Sequence, residues 1–194
     1  LLPDTTLPKA MAQTPPAIAH TVPAFKFSEV SALVDETSAV ADGYDAKTLI
    51  RWGDPVLPGA PALSPQQQTP ATQAGQFGYN NDFIGYVPMP GAANPSQHGL
   101  LCINHEYTST EIMLPGLKPS KARRVDPELM TADRVGIEMM AHGGSIIEVK
   151  RDAAGASGVI AGSKFARRIT AETPMDLTGP AAGHERMKTA ADPT

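Results

Sequence analysis

The stretch Leu100-Leu101-Cys102-Ile103-Asn104-His105-Glu106-Tyr107-Thr108 joins four contiguous apolar residues to an amide, an imidazole, a carboxylate and a phenol. The apolar half reads as a strand buried on both faces, and the polar half falls where that strand leaves the core. A rigid sheet presents ligands in this way. Side chains alternate along a strand, so at most one of His105 and Glu106 faces a given site, and Asn104 shares the side of Glu106. Read locally, the segment is either a ligand-bearing strand end or an ordinary polar exit from a strand.

On either side, short β-prone runs are separated by turn chemistry. Alternation over Lys47–Trp52 suggests a strand closed by Gly53-Asp54-Pro55. Val56 to Gln76, rich in Pro, Ala and Gln, has no apolar stripe and reads as a long surface loop, functional or mobile. A polar knot, Asn80-Asn81-Asp82, feeds the run Phe83–Val87, and Gly91–Gln97 turns into the strand quoted above. One helix stands out: Thr131 is a good N-cap, Asp133 lies in the first turn, and His142-Gly143-Gly144 ends it. Ser145–Arg151 then reads as a strand, folded by the turn 152–158 onto Val159-Ile160, and Arg167–Thr170 begins another. Such spacing suggests an all-β sandwich, barrel or propeller with a helix in one connection.

Composition narrows the classes. The 194 residues are 41% hydrophobic and 19% charged, with a formal net charge of −4, which suits a globular chain and argues against a nucleic-acid surface. No apolar run approaches the ~20 residues that a spanning helix needs. The single cysteine, Cys102, excludes a disulfide-stapled fold and reads as a small buried hydrophobe. Nineteen prolines and seventeen glycines are high for a helical domain and gather where strands would be joined by long loops. Residues 1–24 carry five of those prolines without periodicity and read as an extended arm left after removal of a targeting segment; residues 25–194 form the folded part.

Five separated segments, in this order, resemble the N-terminal part of the PhoX-type alkaline phosphatases: Arg51-Trp52-Gly53-Asp54-Pro55, Phe77–Phe83, Gly99–Thr108, Arg167-Arg168-Ile169 and Leu177–Glu185. Five motifs in register are far more specific than any one of them. The resemblance runs from about Phe25 to the last residue. It implies a mainly β, partial β-propeller with one short helix and long Pro/Gly-rich loops. It also implies hydrolysis of phosphomonoesters with iron and calcium, and export to the periplasm or medium by the twin-arginine route. Family members are about three times longer, and the Asn-Asn-Cys-Ala-Gly-Gly motif whose cysteine ligates iron would follow Thr194. The chain is therefore expected to be an N-terminal fragment, inactive alone, whose partner is the remainder of its own propeller. The alternatives are a non-catalytic β-rich binding or surface-assembly module and a calcium-binding fold without chemistry.

A phosphomonoester is a dianion, and clustered cations both neutralise it and activate an attacking oxygen. Calcium takes six to eight oxygen ligands, so on the strength of the resemblance Asn81, Asp82, Asn104 and Glu106 are apt, with Glu106 the first choice for a metal ligand. His105 is a weaker iron candidate. His184, in a glycine-rich turn, is expected to contact phosphate, with Glu185 a further metal ligand. Each has a plainer reading. Asn81 and Asp82 also suit turn capping, Arg167 and Arg168 suit one solvated side chain and one structural ion pair, His98 and His142 are bystanders, Met139 and Met140 fill core, and Trp52 anchors packing.

Overall fold

The computed structural model describes residues 28–32, 34, 37–118 and 125–190. The chain divides into two units, residues 1–47 and 48–194. In the first, the described residues hold no helix or strand; the Tyr44 N–H closes a turn on the Ala41 carbonyl, and Lys47 and Asp45 form a solvent-exposed ion pair at 3.2 Å. The extended arm expected over residues 1–24 lies outside the described residues.

The second unit is built on an antiparallel sheet. Its strands are β1 (Ile84–Pro88), β2 (His98–His105), β3 (Gly143–Arg151), β4 (Ser157–Val159) and β5 (Arg167–Ile169), and β1, β2 and β3 lie side by side. β4 and β5 share the far edge of β3, β4 beside Val149–Arg151 and β5 beside Gly144–Ile146, so the sheet is four strands wide. Leu101 faces Ile147, and Ile103 faces Ser145. That register puts Gly99, Ile103, His105, Ser145, Ile147 and Val149 on one buried face. Val56, Phe77 and Ala166 pack onto it, with Leu49 and Ile50 at its margin. The opposite face of β2 is only half-buried, so the apolar run has one core face rather than two. β1 is an edge strand whose Ile84, Tyr86 and Val87 are all exposed.

Among the described residues there are three α-helices where one was expected: α1 (Pro70–Ala74), α2 (Thr110–Met113) and α3 (Ala132–Ala141). The Thr131 hydroxyl caps α3 by accepting from the Arg134 N–H, as its sequence signals predict. Ile137 and Ala141 on α3 close a second core with Met113, Leu114 and Leu117. Met140 is buried but Met139 is not, because neighbours in a helix face different ways. Thr110 donates to the Glu138 carboxylate, fastening α2 to α3.

Two readings are corrected. Lys47–Trp52 is not a strand: the Asp54 carboxylate accepts from the Arg51 N–H at 2.7 Å, and the alternation resolves into a turn. Nor is 56–76 a featureless loop. Gln73 and Gln76 are wholly buried, and their amides close a network. Gln73 Oε1 accepts from the Trp52 indole at 2.8 Å and from Gln68 at 3.1 Å, while Gln76 donates to the Pro61 carbonyl at 2.9 Å and accepts from Gln68 at 2.6 Å. Trp52 also meets Tyr79 edge to face, with ring centroids 5.6 Å apart. This segment is pinned by its own polar side chains.

Replacing Gln73 by Leu strands the Trp52 N–H in the interior and should cost about 2 kcal/mol in urea denaturation, with an unchanged m-value. A second expectation concerns acid. Glu148 accepts from Ser163 and from His98 at 2.7 Å, and these bonds, Ser163 first, hold its carboxyl below the ordinary value. The unfolded chain then binds the proton more readily, so this stabilisation is present above the ordinary carboxyl range and is lost as pH falls through the folded value. Glu148→Gln should flatten the acid limb of a stability-versus-pH curve; an unchanged limb contradicts the assignment.

Candidate functional site

The end of β2 is laced to the segment 78–83 by alternating contacts. The Gly78 N–H points to His105 Nε2 at 3.3 Å, and the Glu106 N–H donates to the Asn80 carbonyl at 2.9 Å. Asn104 Oδ1 accepts from the Asp82 and Phe83 N–H groups at 3.2 and 2.9 Å, and its amide nitrogen donates to the Asp82 carboxylate. The structure thus brings Asp82 and Asn104 together at the end of β2, with Glu106 exposed one residue beyond it. It gives Asn104 a different task, though, since an oxygen already accepting two N–H groups is a brace for the turn. Asn80 holds φ at 47°, a left-handed conformation that asparagine tolerates better than other non-glycine residues.

Beneath this rim lies a buried polar cluster. His105 is 3% exposed and Ser145 is 2% exposed, and the Ser145 hydroxyl lies 2.7 Å from His105 Nε2. A backbone N–H can only donate, so Nε2 is the acceptor and the neutral ring carries its hydrogen on Nδ1. Burial, reinforced by the Arg168 guanidinium and opposed by the Tyr79 backbone, lowers the His105 pKa to about 4. The imidazole is therefore neutral at physiological pH. Arg168 donates to the carbonyls of Gly144 and Met140 at 2.7 and 2.6 Å, to that of His142 at 3.3 Å, and to Ser145 Oγ at 3.1 Å. Its own pKa is lowered by burial to about 10, which leaves it charged, and its partners are carbonyls and a hydroxyl rather than the carboxylate of an ion pair. Arg167, by contrast, is exposed and bonds the Lys164 and Ala166 carbonyls.

Sequence reasoning missed this His105–Ser145–Arg168 cluster. The parity that His105 shares with Ile103 is the one signal that places it inward; nothing local links Ser145 or Arg168 to it. Gly78 is a further part. A Cβ at this position would collide with the Ala141 carbonyl oxygen and the His105 ring.

The other expected residues lie elsewhere. His184 caps a 3-10 turn over Glu185–Met187, its Nδ1 accepting the Arg186 N–H at 3.1 Å, and Glu185 is exposed on that turn. Among the described residues no three His, Cys, Asp or Glu side chains converge as a metal site, so Asp82, Glu106, His184 and Glu185 do not form one cluster. His98 bonds Glu148, and the Glu138 carbonyl accepts from His142 Nδ1 at 2.7 Å. Cys102 is half-buried beside Asn104 in an open, mainly apolar groove of about 340 Å³, lined also by Phe83, Ile146 and Ile169.

These features define an antiparallel β protein whose helices pack at one end and whose strand exits carry oxygen donors. The family model for alkaline phosphatase PhoX matches residues 25–194, and the chain belongs to that family. Among solved structures it is similar to Pseudomonas fluorescens PhoX in complex with vanadate, a transition state analogue, with 36% sequence identity and a TM-score of 0.72. That match covers 86% of this chain but 27% of the other, so the chain spans about a quarter of the length of this solved relative. Comparison with curated proteins finds no match.

Gly78→Ala should lower stability by about 2–3 kcal/mol, because backbone and a buried ring cannot yield to the methyl group. Gly158→Ala, with open space around its Cβ, should stay within about 1 kcal/mol. Urea midpoints of the two variants check this, and equal midpoints contradict it.

Proposed function

We propose that this chain is the N-terminal portion of an exported phosphomonoesterase, a metal-dependent alkaline phosphatase, and that the 194 residues alone are inactive. The observation that carries the reading is the family match over residues 25–194, supported by 36% identity to a phosphatase structure holding vanadate. A sheet four strands wide has the form of one propeller blade, and the half-buried apolar face of β2 and the bare edge of β1 suit a continuation of the same propeller. Small phosphomonoesters are the substrates, and the site of action is the periplasm or the medium, reached in folded form by the twin-arginine route.

The donor set sets limits on the metals. Asp82 and Glu106 offer hard carboxylate oxygens of the kind calcium takes, and Asn104 holds Asp82 in place. Among the described residues no three ligating side chains converge, so this chain alone completes a site for neither cation. When bound, the cations neutralise substrate charge; this chain's part is to place Asp82 and Glu106 at one wall of a centre completed by other residues. His184 and Glu185 stand on a separate turn, where His184 is proposed to meet phosphate and Glu185 a metal once further chain packs against them.

Turnover of p-nitrophenyl phosphate with iron and calcium supplied tests this directly. The 194-residue chain should give none, and the full-length protein should turn it over. In the full-length protein, Asp82→Asn should weaken calcium dependence by about tenfold or more. Clear activity in the short chain alone refutes its incompleteness; an inactive full-length protein refutes the phosphatase reading.

A further inference from the structure

We propose that His105 is the positioning residue of the strand-end site: by accepting from the Gly78 N–H and the Ser145 hydroxyl at one nitrogen, it fixes segment 78–83 against residues 104–106. It thereby sets where the Asp82 carboxylate stands relative to Glu106. That segment is tied at residues 78, 80, 82 and 83 to the strand exit, 104 to 106, and at Tyr79 to the Ala141 carbonyl at 3.0 Å. The tie at His105 is the side-chain tie anchored in the core, beside the backbone bond from Tyr79 to buried Ala141. Its ring meets Phe77 edge to face at 4.7 Å and fills the space that a side chain on Gly78 would need.

The orientation of the ring is fixed from behind. Ser145 gives its hydroxyl hydrogen to His105 while accepting from Arg168, and Arg168 is held by carbonyls of Met140, His142 and Gly144. The position of Asp82 is thus referenced to the end of α3 and to β3. Asn80 gives an independent sign of this constraint. A non-glycine residue in the left-handed region persists where its surroundings over-determine it, and ties on both sides do so here. The consequence for cation binding rests on the reading of Asp82 and Glu106 given above; the geometric claim does not.

The test compares His105→Phe, which fills the ring space without an acceptor, with His105→Gln, whose carbonyl oxygen can accept both donors, in the full-length protein. His105→Phe should raise amide hydrogen exchange at Asp82, Phe83 and Glu106 and weaken calcium affinity, each by about tenfold, while Ile147 and Val149 keep their protection. His105→Gln should restore most of both. Ser145→Ala should cause part of the same loss in the wild type and add nothing to His105→Phe, as expected of residues acting through one contact. Unchanged exchange at the three amides, a uniform rise that includes Ile147 and Val149, or no rescue by Gln overturns the proposal. If the exchange pattern holds but Asp82→Asn leaves calcium affinity unaltered, the cation reading fails and the positioning role stands.

Discussion

A half-buried positive charge ties together the elements of the second unit. The Arg168 guanidinium lies where α3 ends and β3 begins, and carbonyls from both, rather than a carboxylate, accept from its two terminal nitrogens, while its Nε is left without a partner. Helix carbonyls at a C-terminus carry the negative end of the helix dipole, so the cation sits where it is favoured twice, by hydrogen bonds and by field. Removing it would leave carbonyls of Gly144 and Met140 without their partner. Gly143 makes the junction possible: its φ of 99° turns the chain from helix into strand, and a Cβ there would strike the Ile169 carbonyl. Helix, strand and β5 therefore meet at a point that tolerates few substitutions, and β3, centred in the sheet, carries the register outward to β2 and β1.

From that junction the polar rim follows. Ser145 links Arg168 to His105, His105 holds Gly78, and Gly78 leads to the turn that bears Asp82. The buried glutamines supply the other support, because Gln73 also donates to the Phe77 carbonyl, one residue before Gly78, at 3.3 Å. A loop braced from two sides is suited to present a carboxylate, since site geometry is only as good as the shell that fixes it.

The sequence made part of this legible. Helix α3 was readable from Thr131 and the glycines after it, and β1, β2, β3 and β5 from alternation and turns, whereas β4 begins at Ser157, inside the expected turn. Side-chain parity set Asn104 apart from His105, which is turned inward. What stayed hidden depended on distant partners. Gln73 and Gln76 look like loop residues because their burial is offset by partners no local pattern shows: Gln68, Trp52 and the backbone of Pro61 and Phe77. Alternation at Lys47–Trp52 suggested a strand because the competing turn bond, from Arg51 to Asp54, leaves no mark on hydrophobic pattern. Asn104 was apt as a ligand by its chemistry alone; that its oxygen is spent on two amides is a fact of the fold. The family resemblance carried the functional reading further than spacing could.

The bare outer edge of β1 has a consequence for handling the chain. Among the described residues, Ile84, Tyr86 and Val87 are exposed along a strand that pairs on one side only, with β2. Unpaired backbone groups flanked by apolar side chains form a template on which a second molecule can lay a strand. Pro88, which has no N–H to give, shortens that template at one end. Self-association through this edge is thus built into the geometry, and it would rise with concentration until another strand, from whatever source, occupies the vacancy beside Ile84.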